Sequence, residues 1–264
     1  MIQTLIVVFV LTMVIHTAET LSYSIRYAGV KLNKIAVALS LTGIVLLVSR
    51  TSNLIQAPLT GKFVDYAKEH NTSFDVLSYF RIILLAASIG TIAAIALFPT
   101  FVNLFGRIIN KLEVAGSIPK LISSVTVGQL KNTRHYIKKP NLSLSQFRYL
   151  GVPNRFIVLH VVVTAFYTVG VLSSLYAAHL VPAHSTMASQ ASGLINGMAT
   201  IILTIFIDPQ LGLITDKATR DEEAKNQLGK VYTMLMVSRF FGTMLAQLVI
   251  VPAAYLISVI VGWL

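Results

Sequence analysis

The sequence has no cysteine, which excludes a disulfide framework, a thiolate metal site and a thiol nucleophile, and leaves the redox compartment open. Charge is scarce too. Only 12% of the 264 residues are Asp, Glu, Lys or Arg, about half the share found in soluble globular domains. Motifs for chemistry are also missing. No G-x-S-x-G, Walker or glycine-rich dinucleotide pattern occurs, so hydrolysis, ATP use and redox turnover have no visible apparatus. No H-E-x-x-H pattern occurs, and His16 with Glu19 makes only an isolated H-x-x-E, a weak metal signal. We therefore expect no enzyme, no cofactor and no metal.

What the chain has in abundance is apolar residues, 55% of the total. Six stretches, approximately 2–24, 35–58, 76–98, 156–180, 191–207 and 231–264, match the length an α-helix needs to cross about 30 Å of hydrocarbon. They are long and do not alternate, so helices are favoured over a β-barrel, since either must satisfy its backbone without water. The expected fold is all-α, a polytopic membrane protein of about six transmembrane helices. The first stretch has no positive leader and no convincing small-residue cleavage site, and reads as a retained helix.

The basic residues are unevenly placed. Between the third and fourth stretches, 105–154 carries Arg107, Lys111, Lys120, Lys131, Arg134, Lys138, Lys139 and Arg148 against the single acid Glu113, with Arg155 at its edge. Arg26, Lys31 and Lys34 follow the first stretch, and Lys217, Arg220, Lys225 and Lys230 follow the fifth. Six alternating crossings put all three segments on one side, which the positive-inside rule makes cytoplasmic. Both termini and the loop 179–189 are then extracellular, with Lys62 and Lys68 the chief positives there. Arg26, Lys31 and Lys34 would attract anionic headgroups or a phosphorylated substrate at the cytoplasmic face. Membrane lipids, and not nucleic acid, are the expected partners of the +11 net charge.

A repeat punctuates the chain. Pro58, Gly61, Asp65 and Ala67 recur 151 positions later as Pro209, Gly212, Asp216 and Ala218. A unit of three helices is odd, so the second copy must run through the membrane in the opposite sense, the plan of many secondary transporters. The sequence thus divides into a first repeat, 1–105, a basic cytoplasmic linker, 106–153, and a second repeat, 154–264.

Ionisable residues inside apolar spans are costly and mark functional candidates. Arg50 and Arg239 are the deepest cations. Facing one cavity, their planar guanidinium forks would suit a phosphate-bearing ligand, with Arg81 as a third substrate-binding candidate. His16 and Glu19, three residues apart on one helix face, and Asp208 are candidates for ion coupling or charge pairing. His160 reads as a satisfied buried imidazole.

The segment HTAETLSYSIRYAGVKLNKIAVALSLTGIVLLVSRTSNLIQAPLTGKFVD, 16–65, resembles the Amj family, the alternate lipid II flippases of bacteria such as bacilli. Length, helix count and the C-terminal half agree, so the resemblance covers essentially the whole chain. It implies a bacterial plasma-membrane protein that moves lipid II, the undecaprenyl-pyrophosphate-linked disaccharide-pentapeptide, to the outer leaflet for peptidoglycan synthesis. It supplies no site residues, and the oligomeric state stays open. Two other readings fit the residues alone: an ion-coupled exporter of a small soluble compound, and a non-transporting membrane scaffold.

Overall fold

The computed structural model describes residues 1–70, 74–117, 120 and 152–264. Among them there is no strand, and six helical spans are long and apolar enough to cross a bilayer. They are α1 (Ile2–Lys31), α2 (Ile35–His70), α3 (Val76–Ala115), α4 (Asn154–Leu180), a segmented fifth span (Pro182–Arg220) and α8 (Glu222–Trp263). The fifth span comprises a 3₁₀ turn (Pro182–His184), α5 (Ser185–Gln190), α6 (Ser192–Ile202), a π turn (Leu203–Ile207) and α7 (Asp208–Arg220).

The helices outrun their apolar stretches, α2 and α3 continuing through Pro58 and Pro99 at the edges of theirs. They stop where a local signal stops them. Asn33 takes φ 55° in the short turn between α1 and α2. Gly116, at φ 71°, caps α3 through its N–H to the Leu112 carbonyl. Asp75 opens α3 by accepting from the Ser78 N–H at 3.1 Å, and its bonds from Ser78 hold its carboxyl below the usual carboxylate range. Asp221 opens α8 by accepting from the Glu223 N–H at 2.9 Å. Two expectations shift accordingly. Arg26 and Lys31 lie in α1 and not in a loop, and α3 runs past Phe105 to Ala115, so the start of the expected linker is helical. The rest of that linker, 118–119 and 121–151, lies outside the described residues.

Packing follows the same neighbour pattern in both halves. α1 lies against both α2 and α3, while α4 lies against both the fifth span and α8; α3 and α8 meet between the halves. Two glycines set matching close approaches, one in each half. A Cβ on Gly90 of α3 would stand 2.4 Å from the Met13 carbonyl oxygen of α1, and one on Gly242 of α8 would stand 2.5 Å from the Thr164 Cβ of α4. Small residues at such crossings let helices gain van der Waals contact where lipid offers no hydrophobic driving force. Ser88 joins α3 to α8 by donating to Thr243 Oγ1 at 3.0 Å.

α2 and the fifth span are set apart from this bundle. Only 22% and 17% of the residues in their apolar stretches are buried, against 33% to 50% in the other four spans, and they share no substantial interface with each other. Where they do meet, Lys68 at the end of α2 donates to Ser185 at the start of α5. That contact lies on the face that holds both chain termini. On the opposite face, Lys34 pairs with Glu113 and donates to Asn110 Oδ1 at 2.9 Å, tying the α1–α2 turn to the end of α3.

Candidate functional site

Between these elements lies a cavity of about 500 Å³. α1 and α4 supply most of its back, α2 and the fifth span its two sides, α3 adds Ile83 and Leu84, and α8 adds Arg239. Most of the residues that line it carry polar side chains although the spans that form it are apolar, so a row of polar residues turns inward at membrane depth.

The centre of the cavity is an ion pair. Arg239 of α8 bonds through its guanidinium to the Glu19 carboxylate of α1, and Ser49 of α2 donates to the other carboxylate oxygen at 2.8 Å. Both charged side chains are only 13% exposed. A pair at that depth persists because breaking it would leave an uncompensated charge. The Arg239 Nε is buried and has no partner among the described residues, so the guanidinium keeps unused donor capacity. Next to Ser49 on α2, Arg50 is exposed in the cavity lining and makes no ion pair among the described residues.

Arg26 is the third cation in the lining, about two turns of α1 beyond Glu19. Its buried Nε also lacks a partner among the described residues. Asp208 of the fifth span lies near enough to feel its charge but forms no direct pair with it among the described residues. Asp208 follows the π turn at Leu203–Ile207 and precedes Pro209. Proline donates no backbone N–H, and π turns inside helices recur at functional sites.

Two histidines behave differently. His160 Nδ1 is 2.7 Å from Ser238 Oγ, and its Nε2 is 3.2 Å from the Tyr23 hydroxyl. Ser238 already donates to the Leu235 carbonyl, so His160 donates from Nδ1 to Ser238 and accepts from Tyr23 at Nε2. This neutral, satisfied imidazole ties α1, α4 and α8 together, as the sequence suggested. His16 is buried on the cavity face beside Glu19, with its Nδ1 unpartnered among the described residues.

The structure therefore brings Arg50, Arg239, His16, Glu19 and Asp208 into one cavity. It does not bring Arg81 there. That side chain is exposed near the start of α3, away from the lining, and its backbone carbonyl accepts from Gln247. Of the three residues expected to attract headgroups, Lys31 sits over the Tyr27 ring at 5.1 Å and Lys34 pairs with Glu113, while Arg26 belongs to the cavity. Sequence reasoning missed the neutral members: Ser49, Asn53, Gln56, Tyr167 and Asn196. The available signal was the pair of side-chain amides three residues apart within the second apolar stretch. No cluster suited to a metal ion occurs among the described residues.

Residues 11–261 match the family described as Amj: Alternate to MurJ. The chain belongs to the Amj family. It is 38% identical over 259 residues to the lipid II flippase Amj of Bacillus subtilis (strain 168), covering 97% of this chain and 96% of that relative. No solved structure matches it. For this Amj family member the cavity is the feature that any account of function must explain, since such a polar, arginine-bearing space is expensive to maintain in a bilayer.

Proposed function

We propose that this chain is a lipid II flippase of the bacterial plasma membrane, a transporter that moves an undecaprenyl-pyrophosphate-linked disaccharide-pentapeptide from the inner to the outer leaflet. The observation that carries this reading is the polar cavity with Arg26, Arg50 and Arg239, flanked by the two spans that pack least. Because α2 and the fifth span share no substantial interface, a polyprenyl tail can stay in lipid between them while the polar head enters. Exposed Leu47, Leu54, Met198, Ile201 and Phe206 on those spans suit contact with acyl chains. A sealed cavity would have favoured an exporter of soluble compounds, and a solid bundle a scaffold.

Arg50 and Arg239 hold the pyrophosphate, with Glu19 occupying Arg239 in the empty state. The substrate phosphates displace the carboxylate, so the guanidinium is never left unpaired. No ATP is required in principle. An inside-negative potential favours outward movement of an anion by about 2.3 kcal/mol per charge per 100 mV, less whatever positive charge the protein carries back.

The two three-helix units, 1–105 and 154–264, act as inverted repeats about the linker 106–153. The shared neighbour pattern of the halves and the matched close approaches at Gly90 and Gly242 support this. The Lys68–Ser185 contact fastens α2 to the fifth span on the termini face. Applying the repeat offset, Thr219 and Lys34 are its counterparts on the linker face, and here Lys34 is engaged by Glu113 instead. We take this conformation as open toward the linker face, which the basic residues make cytoplasmic, with both termini extracellular.

The test is complementation: cells lacking their other lipid II flippases should survive when supplied with this protein alone. Single cysteines placed in the cysteine-free chain report orientation. One in the linker should resist an impermeant thiol reagent in intact cells, and one in 179–189 should react; the reverse pattern would overturn the topology.

A further inference from the structure

The cavity is chemically divided. Every fully charged residue in its lining, Arg26, Asp208, Glu19, Arg239 and Arg50, lies at its centre or toward the linker face. Cross-contacts fix the levels: Glu19 meets Ser49 and Arg239 at the centre, whereas Gln56 Nε2 donates to Thr12 Oγ1 at 2.9 Å nearer the termini face. In that second half the lining has no charge. It is built from Thr12, Asn53, Gln56, Asn196 and Thr200, drawn from α1, α2 and the fifth span. Going from Glu19 to Thr12 spans seven residues of α1, about 10 Å.

Gln56 and Thr12 are bonded to each other, but two of these neutral groups are not consumed by the fold. The Asn196 Oδ1 is buried and has no partner among the described residues. Its side chain is pressed against Gly170, where a Cβ would fall 1.6 Å from that same oxygen, so glycine makes the room the amide occupies. Asn53 is exposed in the lining and makes no hydrogen bond to a described residue. An unpartnered amide oxygen at membrane depth is costly unless something in the cavity satisfies it.

We propose that this neutral half is a carbohydrate subsite, in which Asn53, Gln56 and Asn196 hydrogen-bond the hydroxyl and N-acetyl groups of the sugar next to the pyrophosphate. Amides and hydroxyls both donate and accept, as sugar hydroxyls and acetamido groups do. Charged lining there would recruit a second anion instead. The headgroup then lies lengthwise, phosphates toward the linker face and sugar toward the termini face, and the protein discriminates a glycosylated lipid from a bare one. This inference rests on the lipid-pyrophosphate reading of the cavity and adds the part of the ligand that the arginines do not read.

The test uses the full chain in lipid nanodiscs and two probes: undecaprenyl pyrophosphate, and the same lipid carrying an N-acetylated disaccharide. The quantity is the ratio of their Kd values by microscale thermophoresis. Asn196→Leu and Asn53→Leu should each shift that ratio against the glycosylated lipid by roughly three- to tenfold, the loss of about one hydrogen bond. Affinity for the bare lipid should stay within about twofold. Asn53 has no folded-state partner to lose, so its variant reports even where Asn196→Leu does not fold. An unchanged ratio in Asn53→Leu and in any folded Asn196→Leu would overturn the carbohydrate subsite alone. Failure of the unaltered chain to bind either lipid would overturn the proposed function and this inference with it.

Discussion

Replacing Arg50 by Gln separates binding from folding more cleanly than any other change in the cavity. The side chain is exposed there and makes no ion pair among the described residues. Like other exposed substitutions it should alter stability by no more than about 0.5 kcal/mol. Its proposed contact with a substrate phosphate is a charge-assisted hydrogen bond contributing ~1.5–3 kcal/mol. Its loss lowers affinity by roughly 10- to 150-fold. Arg50→Lys keeps the charge without the planar fork and should recover only part of this. Arg239→Gln differs, because it leaves Glu19 with only the hydroxyls of Ser49 and Tyr167 as bonded partners. Breaking a buried pair costs about 3–5 kcal/mol, less in a cavity that admits water, so membrane abundance should fall as well as activity. The assay is complementation in cells that depend on this protein, with membrane levels read by immunoblot. Full complementation by the Arg50→Gln, Arg239→Gln double mutant at normal abundance would refute the reasoning and return both arginines to a structural role.

Three further outcomes are expected. Glu19→Gln frees Arg239 from its standing partner, so lipid pyrophosphate should bind up to about tenfold tighter, equivalent to ~1.4 kcal/mol. Turnover should fall because release is slowed; unchanged binding and transport would remove Glu19 from the cycle. A Lys68→Cys, Ser185→Cys pair should crosslink under oxidant and stop transport until reductant is added, and transport by a fully crosslinked population would show that α2 and the fifth span need not separate there. Gly90→Ala places a Cβ 2.4 Å from the Met13 carbonyl oxygen and should cost ~1–3 kcal/mol of stability as an overpacked contact. Gly43→Ala, with open space around it, should be neutral or stabilising in the same thermal-unfolding measurement in detergent.

The helical membrane class and the number of spans were legible in the sequence, because hydrocarbon thickness sets a minimum run of apolar residues and forbids unsatisfied backbone whatever the side chains pack against. The depth of Arg50 and Arg239 was legible for the same reason. Helix ends were less so. Arg26 looked like a loop cation because hydropathy marks where hydrocarbon stops, whereas a helix ends only at a breaker, and none comes before the turn at Asn33. Which charges meet was decided by tertiary structure alone. Glu19 and Arg239 are 220 residues apart, and no local pattern brings α8 against the middle of α1. The same packing leaves Arg81 outside the cavity although its sequence context is equally apolar. It also places Asn53, Gln56 and Asn196 of α2 and the fifth span in the lining of one cavity. A lone amide in an apolar stretch costs too little to announce itself, and only the folded arrangement of the spans makes a site of the three.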